Sequence, residues 1–368
     1  MTVKRVVAPE RFIGISTDIK PTDGATSVRP GATFYERDTR NLQITPDGTN
    51  WYTKDAPDSI WTFGQPVLRA ENNSVAYWSK GTTSPRNQKG GGWQACLHGN
   101  VQTGVDWAAV YIPVNELPVP SFQTAQWSYY MTTTQTMGVN IVIWVHDPDD
   151  FDYRAEITQL GGVAGLEKTS GWNAHEFDST DAGMFYYGEI TGTPDTTPTA
   201  GTQYTWAQFM TDSVFSRYTI YRISIEYGWE ASGTFDQVWV ADLMLNGQTI
   251  QLKPAPGDLD APVFQYQTGT GAIAGALSPK TPFQLESIMA HFASAQTQDT
   301  LTITCDAGRV ATVYDTLLFS RAGSTGFTDL VIEFGEAYKF LEDDEIDVTY
   351  TGTDGDVYGL TYCFKVLP

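Results

Sequence analysis

The sequence predicts an all-β protein in three parts: an extended N-terminal arm with a β-hairpin motif, a central jelly-roll β-sandwich and a small C-terminal β-sandwich. Composition is the first reason. Aromatic residues make up 13% and charged residues 18%, with 34 glycines and 19 prolines, a profile of sheets and turns rather than of helical bundles or disorder. The second is period-two patterning, clearest between Tyr218 and Leu252. There Tyr218, Ile220, Arg222, Ser224 and Glu226 alternate with Thr219, Tyr221, Ile223, Ile225 and Tyr227, so one face can be buried. The third is punctuation by Pro and Gly between nearly all such runs. At 368 residues the chain exceeds one ordinary core and fits two or three domains.

Taken in order, residues 1–54 form an anchoring segment. Pro9, Pro21, Pro30 and Asp23-Gly24 make residues 1–30 an extended arm with one short strand near Phe12–Ile15. Residues 32–52 hold three short strands and two turns, the second carrying Asp47-Gly48. So small a unit needs a partner to lie on. Residues 54–60 read as a linker.

A domain of residues 61–252 follows, with strands expected at 75–79, 105–112, 125–132, 138–145, 153–159, 184–190, 218–227, 238–245 and 249–252. Such strand density with long connections indicates a two-sheet jelly roll. Glu230–Asp236 is expected to turn the chain between two long strands, and Asn246-Gly247 to close a tight hairpin. One helix is expected over residues 204–213, where Thr205 can cap and Trp206, Phe209 and Met210 share a face. Residues 253–272 read as a second linker. A C-terminal sandwich of residues 273–368 has strands expected at 283–291, 299–305, 312–318, 330–334, 345–350 and 358–365.

The 43 acidic and 22 basic residues give a net charge of −21, which repels phosphate backbones and anionic membranes. Nucleic acid and membrane are therefore not expected partners. Residues 1–40 hold seven of the bases against five acids, a mildly basic arm on an acidic body. Cys96, Cys305 and Cys363 are an odd set, read as reduced thiols packed in cores. The N-terminus lacks the apolar core of a signal peptide, and no run is long enough to span a bilayer.

Few residues suggest chemistry. Glu176 and Asp178 have the alternate spacing by which jelly-roll glycosidases aim two carboxylates into a cleft; a solvated acidic loop is the competing identity, and an enzyme is not expected. Asp147, Asp149, Asp150 and Asp152 offer closely spaced oxygens for calcium, without the glycine and terminal glutamate of a dedicated loop. A surface turn is the plainer identity, and no cofactor is expected beyond that calcium option. His98, His146, His175 and His291 show no metal spacing. Trp78, Trp93, Trp107 and Trp172 lie in or near expected loops, where indole rings can stack on sugars; core packing is the competing use.

Two stretches resemble structural proteins of tailed bacteriophages. Gly31, Phe34-Tyr35, Asp38-Thr39, Leu42 and Asp47-Gly48-Thr49-Asn50-Trp51 look like a small hairpin motif of such virion proteins, departing from it at Arg40-Asn41, Gln43 and Thr45-Pro46. Pro282–His291, Leu301–Thr304, Val313–Ser320 and Leu341–Thr351 look like C-terminal modules of the same context. The 61–252 domain resembles concanavalin-like and carbohydrate-binding jelly rolls in its ending, Val238–Leu243, Asn246-Gly247 and a closing strand.

These resemblances imply a non-enzymatic virion protein, a capsid decoration or fibre-like subunit assembled in the host cytoplasm. Its partners would be capsid or neighbouring subunits and further copies of itself, a trimer in the spike-like form. Phe34, Tyr35, Leu42 and Trp51 would anchor it. The alternatives are a carbohydrate-binding or weakly glycan-hydrolysing jelly roll used for host attachment, with a surface glycan as partner, and a capsid shell protein.

Overall fold

The computed structural model describes residues 11–15, 17–21, 28, 32–36, 42–45, 49, 51–53, 62–80, 92–188, 197–229, 232–308 and 315–367. The chain divides into two compact units, Met1–Thr62 and Phe63–Pro368. Among the described residues the structure is all-β with a single short α-helix.

In the first unit, β1 (Arg11–Gly14) and β2 (Thr33–Glu36) pair in parallel, with Phe12 opposite Phe34 and Ile13 opposite Tyr35. β3 (Leu42–Ile44) and β4 (Tyr52–Thr53) continue the sheet antiparallel. Period two then separates the faces. Trp51 sets its edge against Phe12 and Phe34, at centroid distances of 6.2 and 6.1 Å, and its indole N–H donates to the Pro21 carbonyl at 2.7 Å. Ile13 and Tyr35, on the other face, are exposed. The Asp47-Gly48 turn and the 54–60 linker lie outside the described residues.

The second unit opens with β5 (Val67–Glu71), β6 (Val75–Ser79), β7 (Gln94–Thr103), β8 (Trp107–Pro118) and β9 (Ala125–Met131). Next come β10 (Asn140–His146), β11 (Arg154–Gln159), β12 (Gly171–Phe177) and β13 (Met184–Gly188). The helix α1 (Trp206–Thr211) precedes β14 (Thr219–Tyr227), β15 (Ser232–Leu245) and β16 (Gln248–Thr249). One sheet runs β13-β11-β10-β14-β8-β5; the other runs β12-β9-β15-β7-β6, with β16 on β15. Ile141, Ile143, Ile223 and Ile225 meet Trp127, Tyr129, Val238 and Val240 in the core between them. Thr205 caps α1 with a reciprocal capping box to Gln208, and Trp206 and Phe209 are buried.

Three strands here, β5, β7 and β12, fall in stretches that the sequence leaves as connections. A larger correction concerns β14 and β15. Ser232–Asp236 of the expected turn already belongs to β15, and the two strands do not pair with each other: β14 pairs with β10 and β8, whereas β15 pairs with β7 and β9 in the opposite sheet. Each strand has one apolar face, and that face is buried across the core whether the two strands lie in the same sheet or in opposite ones. The Asn246-Gly247 hairpin does form, joining β15 to β16 with φ of 47° and 77° at the turn, as a mirror-image tight turn requires.

The C-terminal sandwich consists of β17 (Val263–Thr270), β18 (Ile273–Leu277), β19 (Phe283–Gln296), β20 (Thr300–Asp306), β21 (Thr316–Ala322), β22 (Phe327–Glu333), β23 (Lys339–Phe340), β24 (Glu345–Tyr350) and β25 (Val357–Val366). Its sheets run β17-β25-β19-β22, with β23 on β19, and β18-β24-β20-β21. β17 occupies part of the stretch expected to be a linker. Its Gln, Thr and Gly content looks like a spacer, yet its residues alternate half-buried and exposed along the edge of the sheet.

The two sandwiches share an apolar cluster. Val75, Tyr77, Cys96 and Trp239, from the outer face of β6, β7 and β15, pack with Leu285, Phe364 and their neighbours. Tyr77 meets the Phe364 ring edge-on at 5.8 Å, donates its hydroxyl hydrogen to the Pro279 carbonyl and accepts from Gln237 Nε2. All three cysteines are free and buried.

Candidate functional site

With one face of the β13-to-β5 sheet committed to the core, the residues of opposite parity fall on its outer face. Register places them in rows. Trp144 of β10 stands between Arg222 of β14 and Glu156 of β11, with Tyr187 of β13 beyond Glu156 and Pro113 of β8 beyond Arg222. One row along are Phe185, Thr158, Val142, Ser224, Tyr111 and Val67. Asn140, Glu226, Ala109 and Arg69 follow, and Trp107 pairs with Glu71 beyond them. Strands about 4.8 Å apart make the five from β13 to β8 a platform of roughly 19 Å.

Arg222 is the centre of this surface. Its guanidinium carbon lies 3.9 Å from the Trp144 ring centroid, 4.3 Å from that of Tyr111 and 5.7 Å from that of Tyr221. Planar guanidinium over aromatic faces is a favourable arrangement that leaves the donor edge free to bond. Its Nε is buried, and no acceptor among the described residues takes its hydrogen. Trp107 stacks on Tyr111 at 5.6 Å. Toward the β13 end, Trp229 stacks on Phe185 at 5.9 Å and meets Tyr187 edge-on at 5.6 Å.

Beneath the rings runs a polar relay. Trp144 Nε1 donates to Ser224 Oγ at 3.1 Å, and the Ser224 hydroxyl donates to Glu226 Oε1 at 2.6 Å. Glu226 is only 4% exposed. Burial pushes its carboxyl up to about 8, against the opposing pull of the Ser224 hydrogen bond and with a smaller push from Glu156. Glu156 is also raised by burial, opposed by the 2.8 Å hydrogen bond from Thr158 and by the charge of Arg222. At neutral pH Glu226 is therefore chiefly an uncharged carboxylic acid. The surface combines half-buried rings, one cation with an unused donor and a neutral carboxyl, a set suited to hydrogen-bonding and stacking on a polyhydroxylated ligand.

Of the residues expected to stack on sugars, only Trp107 lies on this face. Trp78 is buried in the core edge, donating to Asp258 Oδ2 at 3.3 Å, so its ring faces protein rather than solvent. Trp93 is half-buried beneath the Lys80 ammonium at 5.3 Å. Trp172 packs edge-on with Tyr130, on the other sheet.

Glu176 projects from β12, contrary to the expected loop, and accepts from Gln126 at 3.4 Å. Asp178 follows the strand, and both border a recess of about 320 Å³ with Gln126, Phe177 and Met244. The Thr180 backbone and hydroxyl donate to Asp178, each at 2.7 Å, and hold its carboxyl below the usual range. A general acid needs the opposite shift.

Asp147 and Asp150 each accept a backbone N–H two residues on, from Asp149 and Asp152, within the turn joining β10 to β11. That use tightens the turn. Among the described residues no three His, Cys, Asp or Glu side chains converge as a metal site. Of the expected anchors, Phe34 and Trp51 pack on each other and Tyr35 is exposed; Leu42 lies opposite Tyr35 in register, its side chain outside the described residues.

Tyr111, Trp144, Arg222, Glu156 and Glu226 were not singled out by the sequence. The signal was present as parity: Trp144 is the one aromatic at an off-core position between Ile143 and Val145, and Arg222, Ser224 and Glu226 form the polar parity of their strand. That these strands are neighbours is a tertiary fact.

No family model matches the chain, and no curated protein sequence matches it. Among solved structures it is similar to the family 11 carbohydrate-binding module from Clostridium thermocellum in complex with a β-1,3-1,4-mixed-linked tetrasaccharide. Identity is 7% and the TM-score 0.30, over 52% of this chain and 93% of that one. The N-terminal CBM22-1–CBM22-2 tandem domain from Paenibacillus barcinonensis Xyn10C matches at 7% identity and a TM-score of 0.23, over 81% and 92%. The infectious bursal disease virus Gx strain structure matches at 9% and 0.16, over 83% and 73%. Overlap this loose assigns nothing to this chain.

Proposed function

We propose that the central sandwich binds carbohydrate, without catalysis, on the outer face of its β13-to-β5 sheet. The observation that carries this reading is Arg222 held between Trp144 and Tyr111, with its Nε–H unused, in a row of rings that continues to Trp107 and toward Tyr187. Rings give apolar faces for the C–H surfaces of a sugar, and fixed donors beside them orient its hydroxyls. Asp178 is held below the usual carboxylate range by its hydrogen bonds from Thr180, the opposite of what the acid of a hydrolase requires. A glycan array probed with the full chain tests the reading. Binding to a defined glycan class, weakened about tenfold or more by Trp144→Ala, is expected; no glycan bound, or binding untouched by Trp144→Ala, overturns it.

A second reading, a subunit of a tailed-phage particle attached by its N-terminal unit, is favoured by the exposed face of that unit. Ile13 and Tyr35 sit side by side there, and Ile19 is 97% exposed. In this reading the small sheet supplies the anchor and the sandwiches carry the glycan-binding face, as a decoration or fibre subunit. Immunogold labelling then finds the chain on purified particles, and the Ile13→Ser, Tyr35→Ser double variant fails to incorporate. Normal incorporation of that variant removes the anchoring role.

A further inference from the structure

We infer that the outer face of the β13-to-β5 sheet selects acidic saccharides, with the Arg222 guanidinium receiving the sugar carboxylate; the inference rests on the carbohydrate-binding reading above. A surface built only to stack on neutral sugars has no need of a desolvated cation at its centre. Here the cation is fixed on both sides. Trp144 and Tyr111 lie within 3.9 and 4.3 Å of the guanidinium carbon, and rings so placed restrict rotation about the long side chain. The ordering cost of a flexible arginine is then met before any ligand arrives.

The donor edge is also unspent. Nε is buried with no acceptor among the described residues, and the ion pairs that those residues form lie elsewhere. Nε itself is closed to solvent, so a ligand oxygen bonds the outer nitrogens of this half-buried side chain, which are not among the buried ones and form no hydrogen bond among the described residues. A carboxylate is the group whose two oxygens match the planar fork, and such charge-assisted pairs are roughly twice as strong as neutral ones.

Nearby acids could oppose an anionic ligand. Facing Arg222 are Glu226 on its own strand and Glu156 on β11, with Ser224, Thr158, Tyr111 and the Trp144 indole as uncharged neighbours and Glu71 and Arg69 at the β5 edge. Both inner glutamates are raised by burial, Glu226 to about 8. The inner row therefore sets one full positive charge beside a Glu226 carboxyl that is chiefly neutral at pH 7, with Glu156 shifted in the same direction. On a chain of net charge −21, a guanidinium without an ion pair among the described residues marks where an anion can approach.

The test is calorimetric titration of the full chain at pH 7 with matched probes: galacturonate oligomers against their methyl esters, and sialyllactose against lactose. An acid-form preference of about tenfold or more in at least one pair is expected. Arg222→Met should abolish that preference and Arg222→Lys retain part of it, since the charge stays while the fork is lost; circular dichroism confirms that each variant is folded. Equal or tighter binding of the neutral forms overturns acid selection and leaves glycan binding standing. So does an acid preference that survives in folded Arg222→Met. Binding of neither kind of probe, together with a blank glycan array, overturns both.

Discussion

Glu226 shows how one residue ties the site to stability. Its carboxyl is buried beside Arg222 without forming an ion pair among the described residues, so the fold keeps it protonated up to about pH 8, whereas the unfolded chain ionises it in the ordinary range near 4.5. Between those values the native state binds the extra proton, and stability falls as pH rises, by about 1.4 kcal/mol per unit at full effect. Two other groups shape the curve below that. His98 is depressed by burial to about 4, which removes stability as pH falls below its ordinary 6.5. Asp347 is raised to about 6, first by burial and then by Glu345, and its loss is complete soon above that. From pH 6.5 to 8 the decline thus belongs chiefly to Glu226, with Glu156 acting in the same direction. Urea midpoints measured across that window should fall for the native sequence and much less for Glu226→Gln, which keeps the shape and loses the proton. Equal slopes would place the titration elsewhere. The residue types of the site were legible in the sequence as the polar parity of residues 222, 224 and 226, but burial of a carboxyl is set by what neighbouring strands put beside it. Trp78 failed as a candidate for the same reason, since a tryptophan at a strand edge is indistinguishable by pattern from one in a loop.

Elements were legible wherever local chemistry alone determined them. The Thr205 cap, α1 and the Asn246-Gly247 turn need only neighbours in sequence, and each forms where the pattern placed it. Partnership was not legible, because period two states which side of a strand is apolar and not what covers it; β14 and β15 therefore read as a pair joined by a turn and lie in opposite sheets. Glycines give the contrast an experimental form. Gly247 has a φ of 77° with open space where a Cβ would stand, so Gly247→Ala is strained only by its backbone, costing about 1 kcal/mol. Gly275 in β18 has no such φ, yet a Cβ there would meet Tyr362 Oη at 2.5 Å, Gln267 Oε1 at 2.6 Å and Leu360 Cδ2 at 2.9 Å. Gly275→Ala must displace these side-chain ends, of which the buried Tyr362 ring has the least room to give, and is expected to cost more, about 1–3 kcal/mol. Chemical denaturation of the two variants ranks them; a larger loss for Gly247→Ala would mean that the C-terminal layers are looser than their spacing indicates.

Two sandwiches in tandem can behave as beads or as one body, and the outer face of β6, β7 and β15 decides between these. A free-standing jelly roll carries polar residues on its outer faces. This sheet instead presents Val75, Tyr77, Cys96 and Trp239, which belong to the apolar cluster of the C-terminal sandwich rather than to their own core. Polar contacts register the seam: Tyr77 to Pro279, Gln237 to Ser278, and Trp78 to Asp258. Neither sandwich can leave without exposing this patch, so unfolding of one should draw the other with it. Calorimetry of the full chain is expected to show the two sandwiches melting in a single transition. Tyr77→Ala removes the ring against Phe364 and two hydrogen bonds at once, and should separate that transition into two or lower it, at a cost of about 3–5 kcal/mol for the lost ring. Two transitions in the native sequence would show that the seam is too weak to couple them. A coupled body also bears on the proposed role, because a face that grips a long polymer bears its load through the rest of the chain, and a seam that unfolds only with the whole transmits that load instead of yielding at a joint.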